Sequence, residues 1–444
     1  MKKLLILVFL LFVMCTATQA KSLHKSFDSL INDSGVSKNS IAISIKNIDT
    51  GKVVYQRNQH LLMHPASVQK ILTIVPIMEA LGDNYTFKTE LYLRGKDSYL
   101  IKLGADPYLE SSDLDNLVKK INSDKVKKIY IDNSIIENKD WGEGWQWDDD
   151  LNSFMPRFNS FNLDSNLTKI TVMPTDMNKS AYIINPQKSP ILFYNNVKTG
   201  ENNNITISRN NIISANTVKL EGTVSSPATY FITNNNLRMY FNKKLTDAME
   251  DRNIYLKAPY TDSKKNISDI YVSHIEHPVS RALNDVLYNS NNMVIETMAK
   301  LAGGKYYKKQ GTDTDGIQLF NEYCNKLGID NSRIRIVDAS GVSKNNLIDT
   351  DFITDFLIKN KDNKILENMA SPGQGTLSTR LIPLKDNLKA KTGTLSDISS
   401  IAGYLTAKSN HRYAFSIIIN EPSTSDSTKK NFENYFIREM YYKL

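Results

Sequence analysis

Cysteine is almost absent: the 444-residue chain holds two, Cys15 and Cys324. A fold stapled by internal disulfides is thereby excluded, and stability has to come from a packed core. Long apolar runs are missing too. The longest, Leu4 to Met14, covers 11 residues, or about 16 Å of helix against a hydrocarbon core of about 30 Å. It is too short to span a bilayer. With 19 glycines and 13 prolines the composition is not collagen-like, and 41% hydrophobic residues argue against disorder. Charge of one sign is also scarce. The net +8 is mild for this length and gives no reason to expect a nucleic-acid partner. Neither Gly-x-Ser-x-Gly nor His-Glu-x-x-His occurs, so an α/β-hydrolase and a zincin are both unsupported.

What is present begins with a targeting segment. Met1-Lys2-Lys3, the apolar run and Thr18-Gln19-Ala20 read as a signal peptide, residues 1–20, cleaved after Ala20. Val13-Met14 puts a bulky residue before Cys15 and argues against lipid modification there. Removing the segment takes two lysines and lowers +8 to +6. Cys324 is then the remaining thiol, in an amphipathic pattern that predicts a buried helical position. The mature protein is expected in the periplasm or cell envelope with no transmembrane anchor.

The mature chain reads as α+β. Residues 22–34 look helical, and Ile41–Ile45 turns through Asp49-Thr50-Gly51 into Lys52–Tyr55 as a hairpin. Ser67–Leu81 has the apolar spacing of a mostly buried helix, bent at Pro76. From Thr89 to Asn266 short alternating segments separated by Asn, Asp, Gly and Ser indicate a β-rich module, loop-rich around Asn195 to Asn216. Helical periodicity is read as returning near His274. Strand-like runs follow at Leu388–Thr394, Ile401–Ala407 and Tyr413–Asn420, with a last helix over about Ser427–Tyr442. The plainest assembly joins both ends of the chain in one antiparallel sheet between helices, interrupted by the β-rich insertion.

Ser67-Val68-Gln69-Lys70 opens the buried helix. Residues three apart share a helix face, so the Ser67 hydroxyl and the Lys70 amine fall within reach of each other. A serine alone is a poor nucleophile. A lysine desolvated in a cleft near another cation has its pKa lowered and can take the serine proton near pH 7. Ser-x-x-Lys by itself is a weak signal, but Ser290-Asn291-Asn292 follows at a helix start and Lys391-Thr392-Gly393 in a strand. In this order the three resemble the signatures of penicilloyl serine transferases. Lys391 and Thr392 offer a cation and a hydroxyl to a substrate carboxylate. Gly393, lacking Cβ, lets a substrate backbone lie along the strand edge. Ser290 is the expected proton donor to the departing amine, and Asn292 the expected holder of Lys70 and of the substrate's penultimate carbonyl. The backbone N–H groups of Ser67 and Thr394 are the expected oxyanion hole.

The resemblance extends along nearly the whole mature chain. Its carriers are Pro65–Lys70, Gly104-Ala105-Asp106-Pro107, Tyr130–Ser134, Gly144–Asp149, Ser290–Asn292, Asp338–Leu347, Gly375-Thr376-Leu377 and Lys391-Thr392-Gly393-Thr394-Leu395. Together they are similar to the class C low-molecular-mass penicillin-binding proteins, D-alanyl-D-alanine carboxypeptidases and endopeptidases of peptidoglycan. That resemblance implies a β-lactamase/transpeptidase-like domain carrying nested insertions. The expected bounds are 21–88 with 268–444 for the catalytic domain, 89–160 with 218–267 for an inserted domain, and 161–217 for a second nested within it. It further implies a Ser67 acyl-enzyme on stem peptides ending in D-Ala-D-Ala, covalent inhibition by β-lactams, and no cofactor or metal. Asp132 is carried over as a contact for the amine of the diaminopimelate side chain. Lys344 stands where the family often has arginine, keeping the charge without the bidentate fork. Two alternatives share the trio: a β-lactamase, distinguished by fast deacylation, and a sensing module that binds penicillin without turning over peptide.

Three other features have plainer readings. His274-Ile275-Glu276-His277 lacks a third metal ligand. Trp141, Trp145 and Trp147 are expected to pack under a loop in preference to forming a carbohydrate platform. The aromatic stripe of the terminal helix is expected to cover the sheet.

Overall fold

The computed structural model describes residues 23–122, 126–209, 216–256 and 260–444. Residues 1–20, read from the sequence as a signal peptide and holding Cys15, lie outside them. The chain packs as two compact units, one comprising the chain up to Val75 with Leu283–Ser290 and Phe320–Leu444, the other Pro76–Ala282 with Asn291–Leu319.

The first unit is built on a five-stranded sheet in the order Leu388–Leu395, Ile398–Thr406, Arg412–Asn420, Ile41–Asn47, Val53–Arg57. Every pairing is antiparallel. The α+β reading, with both chain ends in one sheet, is borne out. Side chains alternate across a strand, and that alternation sorts the sheet into two faces. Ile41, Ile43, Ile45, Phe415, Ile417, Ile401 and Leu405 join Phe27, Phe432, Phe436 and Met440 in one core. Phe27 stacks on Phe436 at 4.7 Å between ring centroids, so the first helix and the terminal helix Asp426–Lys443 cover this face together. Phe432 and Phe436 of the terminal aromatic stripe are therefore core, whereas Tyr435 is exposed. On the opposite face Ser44 Oγ meets Thr354 Oγ1 at 2.9 Å and Tyr404 Oη donates to Leu357 O at 2.8 Å, which seats the helix Thr350–Lys359 there. The same face receives the helix that starts at Lys70. Cys324 is fully buried in the helix Asp313–Leu327, and burial pushes its thiol up to about 12, an inert position.

In the second unit a mixed sheet runs Thr261–Asp262, Lys128–Asp132, Ser98–Lys102, Thr86–Arg94, Ile270–Pro278. Helices Ser111–Val118 and Leu237–Glu250 pack on it through Leu114, Leu117, Phe241 and Leu245. Two three-stranded sheets share a smaller core of Ile170, Val172, Val197, Val218 and Leu220. Two sequence expectations are corrected here. His274 lies in a strand, not a helix, paired opposite Glu90. The described residues of the asparagine-rich stretch are also largely strand: Leu192–Thr199 pairs in parallel with Thr217–Val224, while Asn204–Arg209 pairs antiparallel to it. Asn195 Nδ2 finds its acceptor on Ala181 O at 2.8 Å, which makes a polar strand tolerable.

One ion pair braces the first face of the five-stranded sheet. Glu433, fully buried on the terminal helix, accepts from Arg380 at 2.6 Å and from Ser399 Oγ at 2.7 Å. Arg380→Ala strands a buried carboxylate and is expected to cost about 3–5 kcal/mol, seen as a lowered urea midpoint. Adding Glu433→Gln should recover part of the loss. A midpoint unchanged in Arg380→Ala would contradict the brace.

Candidate active site

The nucleophile segment is a distorted helix start. A 3-10 turn over Ala66–Gln69 runs into the α-helix Lys70–Leu81, which contains Pro76 as expected. Ala66 has φ of 48°, a left-handed value that a side chain adopts only when its surroundings enforce it. The enforcement is visible. Ser400 Oγ donates to Pro65 O at 2.6 Å, and Asn420 grips both backbone groups of His64, at 2.9 and 3.1 Å. Gly341, at φ of 83°, sits so close to Ala66 O that a Cβ there would collide with it.

On this scaffold Lys70 Nζ lies 2.8 Å from Ser67 Oγ, the pair that Ser-x-x-Lys spacing predicts. The same amine donates to Ser340 O at 2.8 Å. Ser67 is half-buried, whereas Lys70 is fully buried. The edge strand Leu388–Leu395 supplies the second cation. Alternation puts Lys391 and Gly393 on the face that receives the nucleophile helix, and a Cβ on Gly393 would lie 2.8 Å from Ser67 N. The glycine is therefore required for close approach. Lys391 Nζ donates to Ser290 Oγ and to Thr392 O, each at 2.8 Å. Ser290 is itself in the left-handed region, φ 65°. Complete burial, followed by the charge of Lys70, holds the Lys391 amine well below the ordinary lysine range.

Ser67, Lys70, Ser290, Lys391, Thr392, Gly393, Thr394 and Leu395 thus belong to one unit, with Thr394 exposed and Leu395 half-buried at the strand end. Lys344 is half-buried on a turn of the same unit. Asn292 opens the helix Asn292–Tyr307 of the second unit, where its amide donates to Phe154 O at 2.8 Å. Asp132 also belongs to the second unit. Its carboxylate accepts from Ser134 N and Oγ at 3.1 and 2.6 Å and from Lys265 N at 2.8 Å, the bonding of a turn anchor. Of the tryptophans, Trp145 is buried and Trp141 packs edge-on against it, but Trp147 is 81% exposed.

Sequence reasoning passed over three supports: Gln69, Asp338 and Ser400. Asp338-x-Ser-Gly carries a readable turn signal, an Asp able to bond backbone N–H groups ahead of it. Ser400 carries none, since its role depends on a contact 335 positions away.

The family model for the D-Ala-D-Ala carboxypeptidase 3 (S13) family matches residues 23–438. The D-alanyl-D-alanine carboxypeptidase DacB of Haemophilus influenzae is 25% identical over 433 residues, covering 89% of this chain and 90% of its own. A D-alanyl-D-alanine carboxypeptidase of Actinomadura sp. (strain R39) is 23% identical, covering 90% and 81%. The crystal structure of penicillin binding protein 4 (dacB) from Haemophilus influenzae superposes with a TM-score of 0.81 at 24% identity, over 90% of this chain and 96% of that one.

Burial of Lys391 has a consequence for stability. Its folded pKa is depressed, so the unfolded chain binds the proton more tightly, and stability should rise with pH between the depressed value and the ordinary 10.5. Lys391→Met is expected to flatten that rise and to be the more stable protein at pH 7. Urea midpoints measured from pH 7 to 10 check it, and parallel curves for the two proteins would contradict it.

Proposed function

Because this chain belongs to the D-Ala-D-Ala carboxypeptidase 3 (S13) family, and is accordingly a serine peptidase of the class C penicillin-binding group, we propose that Ser67 is its nucleophile and Lys70 its general base. The observation that carries the reading is a buried lysine amine 2.8 Å from a half-buried serine hydroxyl, beside a second buried lysine. A like charge and desolvation both favour a neutral amine, the form able to accept the Ser67 proton.

In the proposed cycle the terminal carboxylate of a D-Ala-D-Ala stem peptide docks on Lys391 and Thr392. Its charge favours protonation of Lys391, offsetting part of the desolvation that depresses that amine. Ser67 Oγ attacks the penultimate carbonyl as its proton passes to Lys70. The oxyanion is held by the N–H groups of Ser67 and Thr394. Collapse breaks the peptide bond and expels the amine of D-alanine, or of a cross-linked neighbour, which takes through Ser290 the proton that Lys70 accepted, so that Lys70 is neutral again. The 2.8 Å contact between Lys391 and Ser290 supports such a relay. Water activated by Lys70 then hydrolyses the acyl-enzyme. Asn292, two positions along the chain from Ser290, is proposed to hold the penultimate carbonyl. Asp132 is left out of the cycle, because its carboxylate already accepts from Ser134 N and Oγ and from Lys265 N. Lys344 remains the proposed contact for a carboxylate on the stem.

Peptidoglycan stem peptides and β-lactams are the proposed partners, and the signal segment supports a periplasmic or cell-envelope location. Among the described residues no helix is long and apolar enough to cross a membrane. Mass spectrometry of purified muropeptides tests the assignment. The wild type should release D-alanine from pentapeptide stems or cut D-alanyl cross-links, and Ser67→Ala should lose roughly 10⁴-fold or more. Lys70→Ala should fall by roughly 10²- to 10⁴-fold. Undiminished turnover by Ser67→Ala would overturn the nucleophile.

A further inference from the structure

The catalytic lysine leans on a turn that none of the three motifs contains. Asp338 is buried, and its carboxylate gathers five donors: Gly341 N at 2.8 Å, Ser343 N at 2.7 Å, Asn346 Nδ2 at 2.8 Å, Gln69 Nε2 at 3.1 Å and Ser340 Oγ at 3.2 Å. Three of these come from the turn's own residues 340–343, so the carboxylate sets the turn's shape. The Gln69 amide also donates to Asp338 O at 2.5 Å, and Thr73 Oγ1 donates to Ala339 O at 2.7 Å. Gln69 and Thr73 both lie on the nucleophile segment, flanking Lys70. The turn is thus bonded to the same stretch of chain whose lysine it faces, and Ser340 O ends 2.8 Å from Lys70 Nζ.

We propose that Gln69 and Asp338 are positioning residues for catalysis: together they hold the Ser340 carbonyl where it fixes the rotation of the Lys70 amine and aims its lone pair at Ser67 Oγ. The inference rests on the assignment of Ser67 and Lys70 as nucleophile and base. A neutral amine has two N–H donors and one lone pair. Its Cε–Nζ rotor is free unless an acceptor fixes a donor. The Ser340 carbonyl is such an acceptor, and a misplacement of about 1 Å at a reacting group can cost 10²-fold in rate. The carbonyl also interacts more strongly with the ammonium than with the amine. Losing it should therefore lower the Lys70 pKa. Around Lys70, Lys391 presents a like charge from the edge strand, and the carboxylate of Asp338 lies behind the turn.

Two signatures follow that a merely structural role would not produce together. The plateau of the acylation rate should fall, and the ascending limb of its pH profile should move to lower pH. Gln69→Met removes the amide donor at similar volume and leaves the Asp338 charge and its turn bonds in place. Asp338→Asn removes the charge as well. Acylation by fluorescent penicillin is followed across pH, with the final labelled fraction counting the competent sites. The expected result is a 10- to 100-fold slower acylation per competent site in both variants, an acid-shifted limb, and a KM for D-Ala-D-Ala peptide little changed, because Lys391 and Thr392 are untouched. Gln69→Met reads the effect even where Asp338→Asn does not fold. Acylation per competent site equal to wild type, or a slower rate with a superimposable pH profile, would overturn the proposal. Labelling of Ser67→Ala would instead overturn the nucleophile assignment, a result distinct from either profile.

Discussion

Everything else at the site depends on two lysine amines being buried on one face of one sheet. A buried ammonium loses its hydration, and neighbouring oxygens return that loss only in part when they are neutral. Around Lys391 the acceptors at 2.8 Å are a hydroxyl and a carbonyl, and Lys70 adds like-charge repulsion. The arrangement destabilises the resting protein and lowers the proton affinity of Lys391 beside the Ser67–Lys70 pair. It is the kind of local conflict that a fold tolerates where chemistry is done.

The sheet makes this burial possible. With the first and last helices filling one face, the other is free to receive the nucleophile helix, and the strand period of two sends Lys391 and Gly393 toward it. The close approach then restricts residue choice. Gly393 and Gly341 leave room for the backbone at Ser67 and Ala66, while Ser400 and Asn420 fasten the turn that would otherwise relax from its left-handed φ. Stability lost in these strained and desolvated positions is offset by a core of Phe27, Phe436 and the branched residues of the central strands.

Much of this was legible in the sequence because its signals are local. The serine and lysine of Ser67–Lys70 are one turn apart, Lys391–Gly393 sits in an alternating run, and the hairpin at Asp49-Thr50-Gly51 carries its own turn residues. The errors share a cause. The strand holding His274 is half-exposed, so it shows no strict apolar alternation, and its partner lies about 180 residues earlier. The asparagine-rich strands were hidden because ladder pairing with the nearby strand Thr217–Val224 overrode turn propensity. Asp132 was read as a substrate contact from the resemblance, and the packing adds a feature no local signal shows, a bond from Lys265 N beside the two from Ser134. Asp338 looked like a family marker, and its turn against Gln69 emerged only from the packing.

The central claim is that this desolvated lysine pair makes Ser67, and no other residue, the covalent nucleophile. Intact-protein mass spectrometry after brief exposure to benzylpenicillin, followed by peptide mapping of the adduct, tests it most directly. The account predicts one penicilloyl group per chain, on the peptide containing Ser67, formed faster as pH rises, as a neutral lysine base requires. An adduct mapped to any other peptide, or a rate indifferent to pH, would contradict it.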